Sequence, residues 1–167
     1  MDRLACALAV VLALGAGGGI ALAQSQDRGK GGTSGRDRLV GKRGNDQLRG
    51  GRGADTLRGG AGDDRLVGGP GNDRLFGGPG RDILFGDGGS DALSGGAGAD
   101  TLVGGAGNDR IDARDGGGDI VAGGVGRDLI RARDGARDLI ACGPGRDRVI
   151  ADRVDEIAGD CESVSRG

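Results

Sequence analysis

The chain of 167 residues has no histidine, tyrosine or tryptophan, and only two phenylalanines and three prolines. So few aromatic side chains cannot build the core of an ordinary globular domain, and another source of stability is needed. The absence of histidine removes the usual general base of a hydrolytic triad, so we expect the protein not to be an enzyme. The scarcity of proline excludes collagen, which requires abundant proline and a period of three.

A strong excess of one charge is also missing, because 25 acidic residues face 23 basic residues and the net charge is −2. A chain so balanced is a polyampholyte rather than a basic ligand of nucleic acid. Two Arg-Gly-Gly triplets, at residues 49–51 and 58–60, resemble RNA-binding segments. They lack aromatic neighbours on which bases could stack, so we predict no nucleic-acid partner.

The N-terminal segment, residues 1–23, has the composition of a secretory signal peptide. Arg3 precedes an apolar run over residues 4–14, and Ala21-Leu22-Ala23 forms a small-residue cleavage signal. We expect cleavage after Ala23, secretion, and no membrane span in the mature protein. An uncleaved anchor is the alternative, but glycines interrupt residues 15–19 and leave a run too short for a bilayer. Residues 24–31 are polar and are predicted to form a flexible leader.

Glycine, by contrast, occurs 42 times, and its spacing between residues 32 and 112 is periodic. The unit Gly-x-x-Gly-x-Asp-x-Leu/Ile-x repeats nine times with no mismatch at its four fixed positions. The sixth position of the successive units is held by Asp37, Asp46, Asp55, Asp64, Asp73, Asp82, Asp91, Asp100 and Asp109. A phase kept over nine units indicates that each unit is one structural element stacked on its neighbours.

Through this nonapeptide the chain resembles the RTX (repeats-in-toxin) family of haemolysin-type calcium-binding repeat proteins. The resemblance is strict over residues 32–112 and degenerate from there to Ile157. It implies an all-β fold, a parallel β-roll or β-solenoid, with calcium as the cofactor. Many family members are exported through a C-terminal signal, whereas this chain is expected to use an N-terminal one. We also expect no second domain that would act as a toxin, lipase or protease.

Local sequence features predict the same architecture. Glycine-rich hexamers turn the chain, and the three residues around each Leu form a short strand whose apolar side chain points inward. Two nonapeptides therefore complete a coil of about 18 residues. Beyond Asp109 the spacing of the aspartates becomes ten, nine, ten and nine, which predicts 19-residue coils over residues 113–151. Residues 152–167 lose the phase and are predicted to form a C-terminal cap.

The interval between Cys142 and Cys161 equals the length of one local coil. Stacking at strand spacing would place their Cα atoms about 4.8 Å apart, within the range of a disulfide. Secretion into an oxidising compartment also favours a bond over two buried free thiols. We therefore predict a disulfide between Cys142 and Cys161.

Stacked coils would place each aspartate beside its counterpart in the next coil and so form two rows. Neighbouring carboxylates within a row repel one another unless a cation neutralises them. Hard oxygen donors in high number suit Ca²⁺ better than Mg²⁺. Zinc is excluded because histidine is absent and the two cysteines of the mature chain are expected to be paired. The predicted ligands are the nine repeat aspartates, extended along the rows by Asp119 and Asp128.

Glycines beside these aspartates are predicted to turn backbone carbonyls toward the same ions. The glycines in question are Gly51, Gly53, Gly60, Gly62, Gly69, Gly71, Gly78, Gly80, Gly96 and Gly98. Rows of five and four repeat aspartates leave seven gaps. The expected number of calcium ions in the regular repeats is therefore up to about seven.

These patterns predict a secreted calcium-binding β-roll that folds on binding Ca²⁺ and acts as a structural or surface-associated module. The alternative is an extracellular adhesion or polysaccharide-binding solenoid whose outward arginines meet acidic cell-surface polymers. The arginines considered for that surface are Arg38, Arg65, Arg74 and Arg110. Solvated surface charge is the simpler interpretation of the same residues.

Two further classes find less support in the sequence. A calcium-assisted carbohydrate-active enzyme would need a cluster of Arg or Lys residues that departs from the repeat on one face, and the sequence shows no such cluster. Serines such as Ser90 and Ser94 only occupy variable positions of the repeat, so they do not indicate a nucleophile. An ice-binding solenoid would need ranks of threonine, but Thr33, Thr56 and Thr101 form none.

Overall fold

The structure, a computed structural model, describes residues 29–167. Over that range the chain forms sixteen β-strands and no helix. Accordingly, no helix long and apolar enough to cross a membrane occurs among the described residues. The predicted signal segment, residues 1–23, and residues 24–28 of the predicted leader lie outside the described part of the chain.

The strands alternate between two parallel sheets of eight strands each. One sheet, here the odd sheet, contains β1 (Gly29–Gly31), β3 (Gln47–Arg49), β5 (Arg65–Pro70), β7 (Ile83–Gly88), β9 (Thr101–Ala106), β11 (Ile120–Val125), β13 (Leu139–Ala141) and β15 (Glu156–Ile157). The other, the even sheet, contains β2 (Arg38–Arg43), β4 (Thr56–Ala61), β6 (Arg74–Phe76), β8 (Ala92–Ser94), β10 (Arg110–Asp112), β12 (Leu129–Ala132), β14 (Arg148–Ala151) and β16 (Ser163–Arg166). The chain is therefore a β-solenoid of about seven turns, and the predicted parallel all-β roll is confirmed.

Pairing between successive coils keeps the repeat in phase. In the regular part Leu48 pairs with Leu66, its counterpart two nonapeptides later. Farther along, Val121 pairs with Ile140, and this longer coil is the one that the spacing of the aspartates predicted. At the C-terminal end Ile157 pairs with Ile140, so residues expected to form a cap first extend the sheets. At the other end β1, within the predicted leader, already pairs with β3.

One column of aliphatic side chains fills the space between the sheets. Each half-coil, which corresponds to one nonapeptide, contributes the residue at the centre of its three-residue strand core. The residues on either side of it point to the opposite face of the sheet. Leu57, Leu66 and Leu84 are 0% exposed. The large members of the column are Leu48, Leu57, Leu66, Leu75, Leu84, Leu93, Leu102, Ile111, Val121, Ile130, Ile140 and Val149. The core is long and only one large side chain wide.

Backbone conformation explains why glycine is fixed at the fourth position of the repeat and is also frequent at the second position. Gly60, at a second position, has a φ of 127°, and Gly53, at a fourth position, has a φ of 128°. L-residues are strained there, and a Cβ on Gly53 would also strike the carbonyl of Gly35 one coil earlier. Lys42 and Asp87 hold second positions with φ of 139° and 72°. The roll thus accepts a side chain at the second position at the cost of backbone strain.

The predicted disulfide is confirmed. Cys142, which follows β13, bonds to Cys161, which lies between β15 and β16, with Cα atoms 5.2 Å apart. The carboxylate of Asp160 accepts hydrogen bonds from the backbone N–H groups of Cys142 and Gly143 at 3.3 and 2.9 Å. Together these bonds fix the last coil to the one before it.

Removal of this disulfide is expected to destabilise the C-terminal end of the roll. Replacing Cys142 and Cys161 by serine should lower the free energy of unfolding in calcium by about 3 kcal/mol, because the unfolded chain regains the entropy of the opened loop. Urea denaturation with and without a thiol reductant measures the loss. The reductant should destabilise the wild-type protein and leave the serine variant unchanged; equal midpoints for all four samples would contradict the stabilising role.

Candidate metal centres

Two rows of aspartates run along the roll at the turns that precede the strands. The even ladder, before the even-sheet strands, consists of Asp37, Asp55, Asp73, Asp91, Asp109, Asp128 and Asp147. The odd ladder, before the odd-sheet strands, consists of Asp46, Asp64, Asp82, Asp100, Asp119, Asp138 and Asp155. In each ladder the backbone N–H of one aspartate donates to Oδ1 of the next, as Asp64 does to Asp82 at 2.7 Å. All eleven aspartates predicted as ligands take part.

In eleven of the fourteen ladder aspartates the second carboxylate oxygen, Oδ2, is buried without a hydrogen-bond donor. Asp37 is an exception, because its Oδ2 accepts hydrogen bonds from the backbone N–H and the hydroxyl of Thr33. Asp82 is 0% exposed and Asp91 is 2% exposed. Among the described residues, buried Oδ2 atoms without a partner occur in Asp46, Asp55, Asp64, Asp73, Asp82, Asp91, Asp100, Asp109, Asp128, Asp138 and Asp147. A buried carboxylate oxygen left in this way is costly unless a cation or a proton neutralises it.

Backbone carbonyls stand beside these oxygens. A Cβ added to Gly68, the opening glycine of a nonapeptide, would contact Asp73 Oδ2 and lie 2.9 Å from the carbonyl oxygen of Gly86. A carboxylate oxygen and a carbonyl oxygen of the next coil therefore converge on the space that a side chain at Gly68 would fill. The same arrangement recurs at Gly50, with Asp55 Oδ2 and the Gly68 carbonyl.

The ten glycines predicted to supply carbonyls all have positive φ. They lie in columns of their own: the carbonyl of Gly53 faces Gly71, and the carbonyl of Gly60 faces Gly78, each one coil later. The carbonyls that lie with the carboxylate oxygens around the opening glycines belong to the opening position of the next coil, which was not among the predicted positions. These carbonyls are those of Gly50, Gly59, Gly68, Gly86, Gly95, Gly104, Gly123 and Cys142. Their signal in the sequence was the unbroken column of opening glycines. Coordination by the ten predicted glycines stays a prediction.

The ladders continue beyond the aspartates predicted as ligands. The N–H of Asp128 donates to Asp147 Oδ1 at 2.8 Å, and that of Asp138 donates to Asp155 Oδ1 at 3.1 Å. At the end of the even ladder Glu162 replaces an aspartate and accepts the N–H of Asp147 at 2.8 Å. Asp138 and Asp147 therefore share the geometry of the predicted ligands, although they were not counted among them.

Burial raises the pKa of ten ladder carboxyls, those of Asp64, Asp73, Asp82, Asp91, Asp100, Asp109, Asp119, Asp128, Asp138 and Asp147. The largest cause is the loss of water around the charged group; the N–H from the preceding coil partly lowers the pKa, and nearby carboxylates raise it again. The pKa reaches about 7 at Asp82, Asp91, Asp119 and Asp138 and about 6 at Asp100 and Asp128. Metal-free rows of this kind resist full ionisation at neutral pH.

The metal-free protein is therefore expected to be more stable in acid than at neutral pH. Asp82 has a pKa of about 7 in the folded protein and an ordinary pKa of 3.8, so its contribution to the stability of the folded state is fully present below pH 3.8. That contribution is lost as the pH rises toward 7. Lowering the pH from about 7.5 to about 4 in EDTA should raise the β-sheet circular dichroism, and calcium affinity should fall because protons compete for the same oxygens. A calcium affinity that did not change between about pH 5 and about pH 8 would contradict this expectation.

The donors fit calcium. The atoms that converge at each turn are carboxylate and carbonyl oxygens, with neither nitrogen nor sulfur among the ladder side chains, and flexible oxygen cages are what Ca²⁺ prefers. The ladder aspartates would hold the ions together with the opening carbonyls of the next coil. Bound calcium would supply the positive charge that the unpartnered Oδ2 atoms lack. Coordination by these particular residues stays a prediction.

The fold and the two ladders define a class of protein, the β-rolls whose turns stack carboxylates and carbonyls along a parallel solenoid. A family model of the RTX calcium-binding nonapeptide repeat matches four overlapping segments, residues 31–66, 58–93, 85–117 and 114–136. The matches cover more than half of the chain, and the protein belongs to the RTX calcium-binding nonapeptide repeat family. The repeats of that family bind calcium. A comparison with curated proteins found no match.

Proposed function

We propose that this protein is an exported structural module that binds several calcium ions in its turns and folds as it binds them. It carries out no catalysis of its own. In the regular nonapeptides the number of ions reaches about seven. The proposal rests on the eleven buried aspartate oxygens that have no hydrogen-bond donor among the described residues.

Folding and calcium binding are coupled because the donors at each turn come from two different coils. Asp73 Oδ2 and the carbonyl of Gly86 become neighbours only when one coil is stacked on the next. The unfolded chain has no such grouping of oxygens, so the free energy of binding adds to the free energy of folding.

Calorimetric titration of the protein with CaCl₂ tests this function. We expect saturable uptake of several ions per chain, with dissociation constants of about 10⁻⁴ to 10⁻³ M, as in other extracellular calcium modules. Asp82→Asn should reduce the number of ions bound, because one ladder oxygen becomes an uncharged amide. The matched control is Asp63→Asn, at an exposed carboxylate outside the ladders that accepts the Arg81 N–H. Absence of uptake at millimolar calcium would overturn the proposal.

Export is supported by two independent features. The disulfide between Cys142 and Cys161 is of a kind that persists in oxidising compartments. Residues 1–23 have the composition of a secretory signal. Mass spectrometry of protein recovered outside the producing cell should find a chain that begins at Gln24. Recovery of the intact chain only from the cell interior would contradict export.

A second candidate function is the binding of an acidic polymer by the even sheet. The residues that flank the inward side chains of this sheet include Arg38, Arg58, Arg74, Arg110, Arg131 and Arg148. Among the residues that flank the inward side chains on the eight strands of the even sheet, Asp112 is the only one with a carboxylate. Arg65, grouped with these arginines from the sequence, lies instead on the odd sheet, where its guanidinium covers the ring of Phe85 at 4.8 Å.

Binding to dextran sulfate in calcium, with uncharged dextran as the reference polymer, tests this second function. Replacing Arg74 and Arg110 by serine should weaken binding by about tenfold, because two exposed charges are lost from the even sheet. Replacing Arg81 and Arg127, two exposed turn residues, is the control with the same change in net charge. Equal losses in the two variants would show that net charge, and not the even sheet, attracts the polymer.

A further inference from the structure

The outward face of the odd sheet carries an uncharged and mostly apolar surface. Eight residues flank the inward side chains on β7, β9, β11 and β13, and they include Ile83, Phe85, Val103, Ile120 and Leu139. None of the eight is charged, although 29% of the residues of the chain are. On the even sheet six of the eight strands carry an arginine at the same positions. The two faces of the roll therefore differ in chemistry.

We propose that two copies of the protein pack odd sheet against odd sheet, about a two-fold axis that runs along β9. From β3 to β15 the odd sheet has seven strands, and β9 is the central one. An axis along this strand reverses the order of the coils, so that β7 faces β11 and β3 faces β15 of the other copy. The strands of the two sheets then run within about 30° of each other, as in aligned sheet packing.

Apolar side chains meet across this axis. Ile83 on β7 lies opposite Ile120 on β11, and the symmetry creates this pair twice. Both side chains are half-buried in the monomer, so the partner can cover their remaining apolar surface. Phe85 and Ala122, only 6% and 9% exposed, are already covered within their own chain. Val103 on β9 lies near the axis and faces its own copy.

Charges at the two ends of the face are complementary as well. Arg49 on β3 and Arg65 on β5 lie at one end, and Glu156 on β15 lies at the other. The axis along β9 brings Glu156 of each copy to the arginines of its partner, in addition to the ion pair of Glu156 with Arg137 of its own chain. An axis along the length of the roll would instead place like charges together, which disfavours it.

The size of the face sets the strength of the dimer. Seven strands at about 4.8 Å and three residues at about 3.3 Å give roughly 30 by 10 Å. This is well below the about 800 Å² per partner of a standard interface, so the dimer is weak and reversible. Its two even sheets point outward, and one dimer presents two arginine-bearing faces.

Sedimentation of the calcium-loaded protein up to about 0.5 mM tests the dimer. The average mass should rise with concentration toward twice that of the monomer. Val103→Lys places two like charges near the axis and should raise the dissociation constant of the dimer at least about tenfold. Ser94→Lys, which introduces the same side chain at the equivalent position of the even sheet, should alter it less than about twofold. Arginine already occupies this position at Arg49 and Arg58, so the fold accepts a long basic side chain there.

A cross-link locates the axis without relying on a lysine variant. In a Cys6→Ser background, Thr101→Cys places one free thiol on β9, where the residue faces its own copy. Mild oxidation in calcium should join this variant into covalent dimers, whereas Ala92→Cys on the even sheet should stay monomeric.

The outcomes separate the dimer from the calcium-dependent fold. A protein that shows an intact roll by circular dichroism and stays monomeric at every concentration would overturn the dimer and leave the proposed function standing. Equal dissociation constants for Val103→Lys and Ser94→Lys, or equal cross-linking of the two cysteine variants, would overturn it as well. A protein that forms no roll in calcium would overturn the proposed function and, with it, the dimer.

Discussion

Chelation of calcium with EDTA at neutral pH should abolish most of the β-sheet circular dichroism of this protein, and excess calcium should restore it. The expected effect is large because the ladders bury eleven carboxylate oxygens that have no hydrogen-bond donor among the described residues. Near pH 7 these groups are ionised in the unfolded chain. Burying them without a cation requires either an unfavourable charge or the uptake of a proton.

The apolar core cannot compensate for this cost. Each half-coil buries one large side chain, such as Leu66 or Leu84, between the sheets. Glycine, the residue that loses the most backbone freedom on folding, occurs 42 times in the whole chain, and most of these glycines lie in the coils that must be ordered around the core. Calcium is therefore expected to supply the difference between a disordered chain and a roll.

Far-UV spectra in EDTA, in calcium and in magnesium measure this dependence. Magnesium is the matched control for divalent charge, and it should restore less structure because it demands a smaller octahedral site and gives up its waters reluctantly. Full β-sheet content in EDTA at neutral pH would mean that the ladders are stable without a cation. Equal recovery in magnesium and calcium would mean that charge alone, and not the oxygen cage, drives folding.

The coil register could be predicted because each fixed position of the repeat has a separate physical cause. The Leu column forms the core, the glycine at the fourth position adopts positive φ, and the opening glycine leaves room for the aspartate. Each cause imposes the same period of nine. The change to longer coils after Asp109 was visible for the same reason, and it predicted the pairing of Cys142 with Cys161.

Features that depend on how half-coils are shared between sheets could not be predicted in this way. Arg65 and Arg74 hold the same position of successive nonapeptides, yet they lie on opposite sheets because the strands alternate. The contrast between an apolar face and an arginine-bearing face is visible only after every second half-coil is grouped. The carbonyls at the opening position were also missed, because residue identity does not report which way a peptide plane turns.

Gly86→Ala is expected to destabilise the calcium-loaded roll by about 3 kcal/mol, the upper range for overpacking. Gly86 opens a nonapeptide, and its φ is not positive, so backbone strain is not the reason. A Cβ at this position would contact Asp91 Oδ2 and the carbonyl oxygen of Gly104 in the next coil. The methyl group would occupy the space in which these oxygens converge, so the variant should also bind fewer calcium ions. Urea denaturation in calcium measures the first effect, and calorimetric titration measures the second.

Gly88→Ala is the matched control, two positions farther along the same strand. A Cβ on Gly88 would meet nothing within 4 Å, and its φ is not positive. The stability of this variant should change by less than about 0.5 kcal/mol, and its calcium stoichiometry should stay that of the wild type. If the two alanine variants were equally stable and bound equal numbers of ions, the opening glycine would not be a steric requirement of the metal site. The large difference expected between them follows from the position of one methyl group relative to two oxygens.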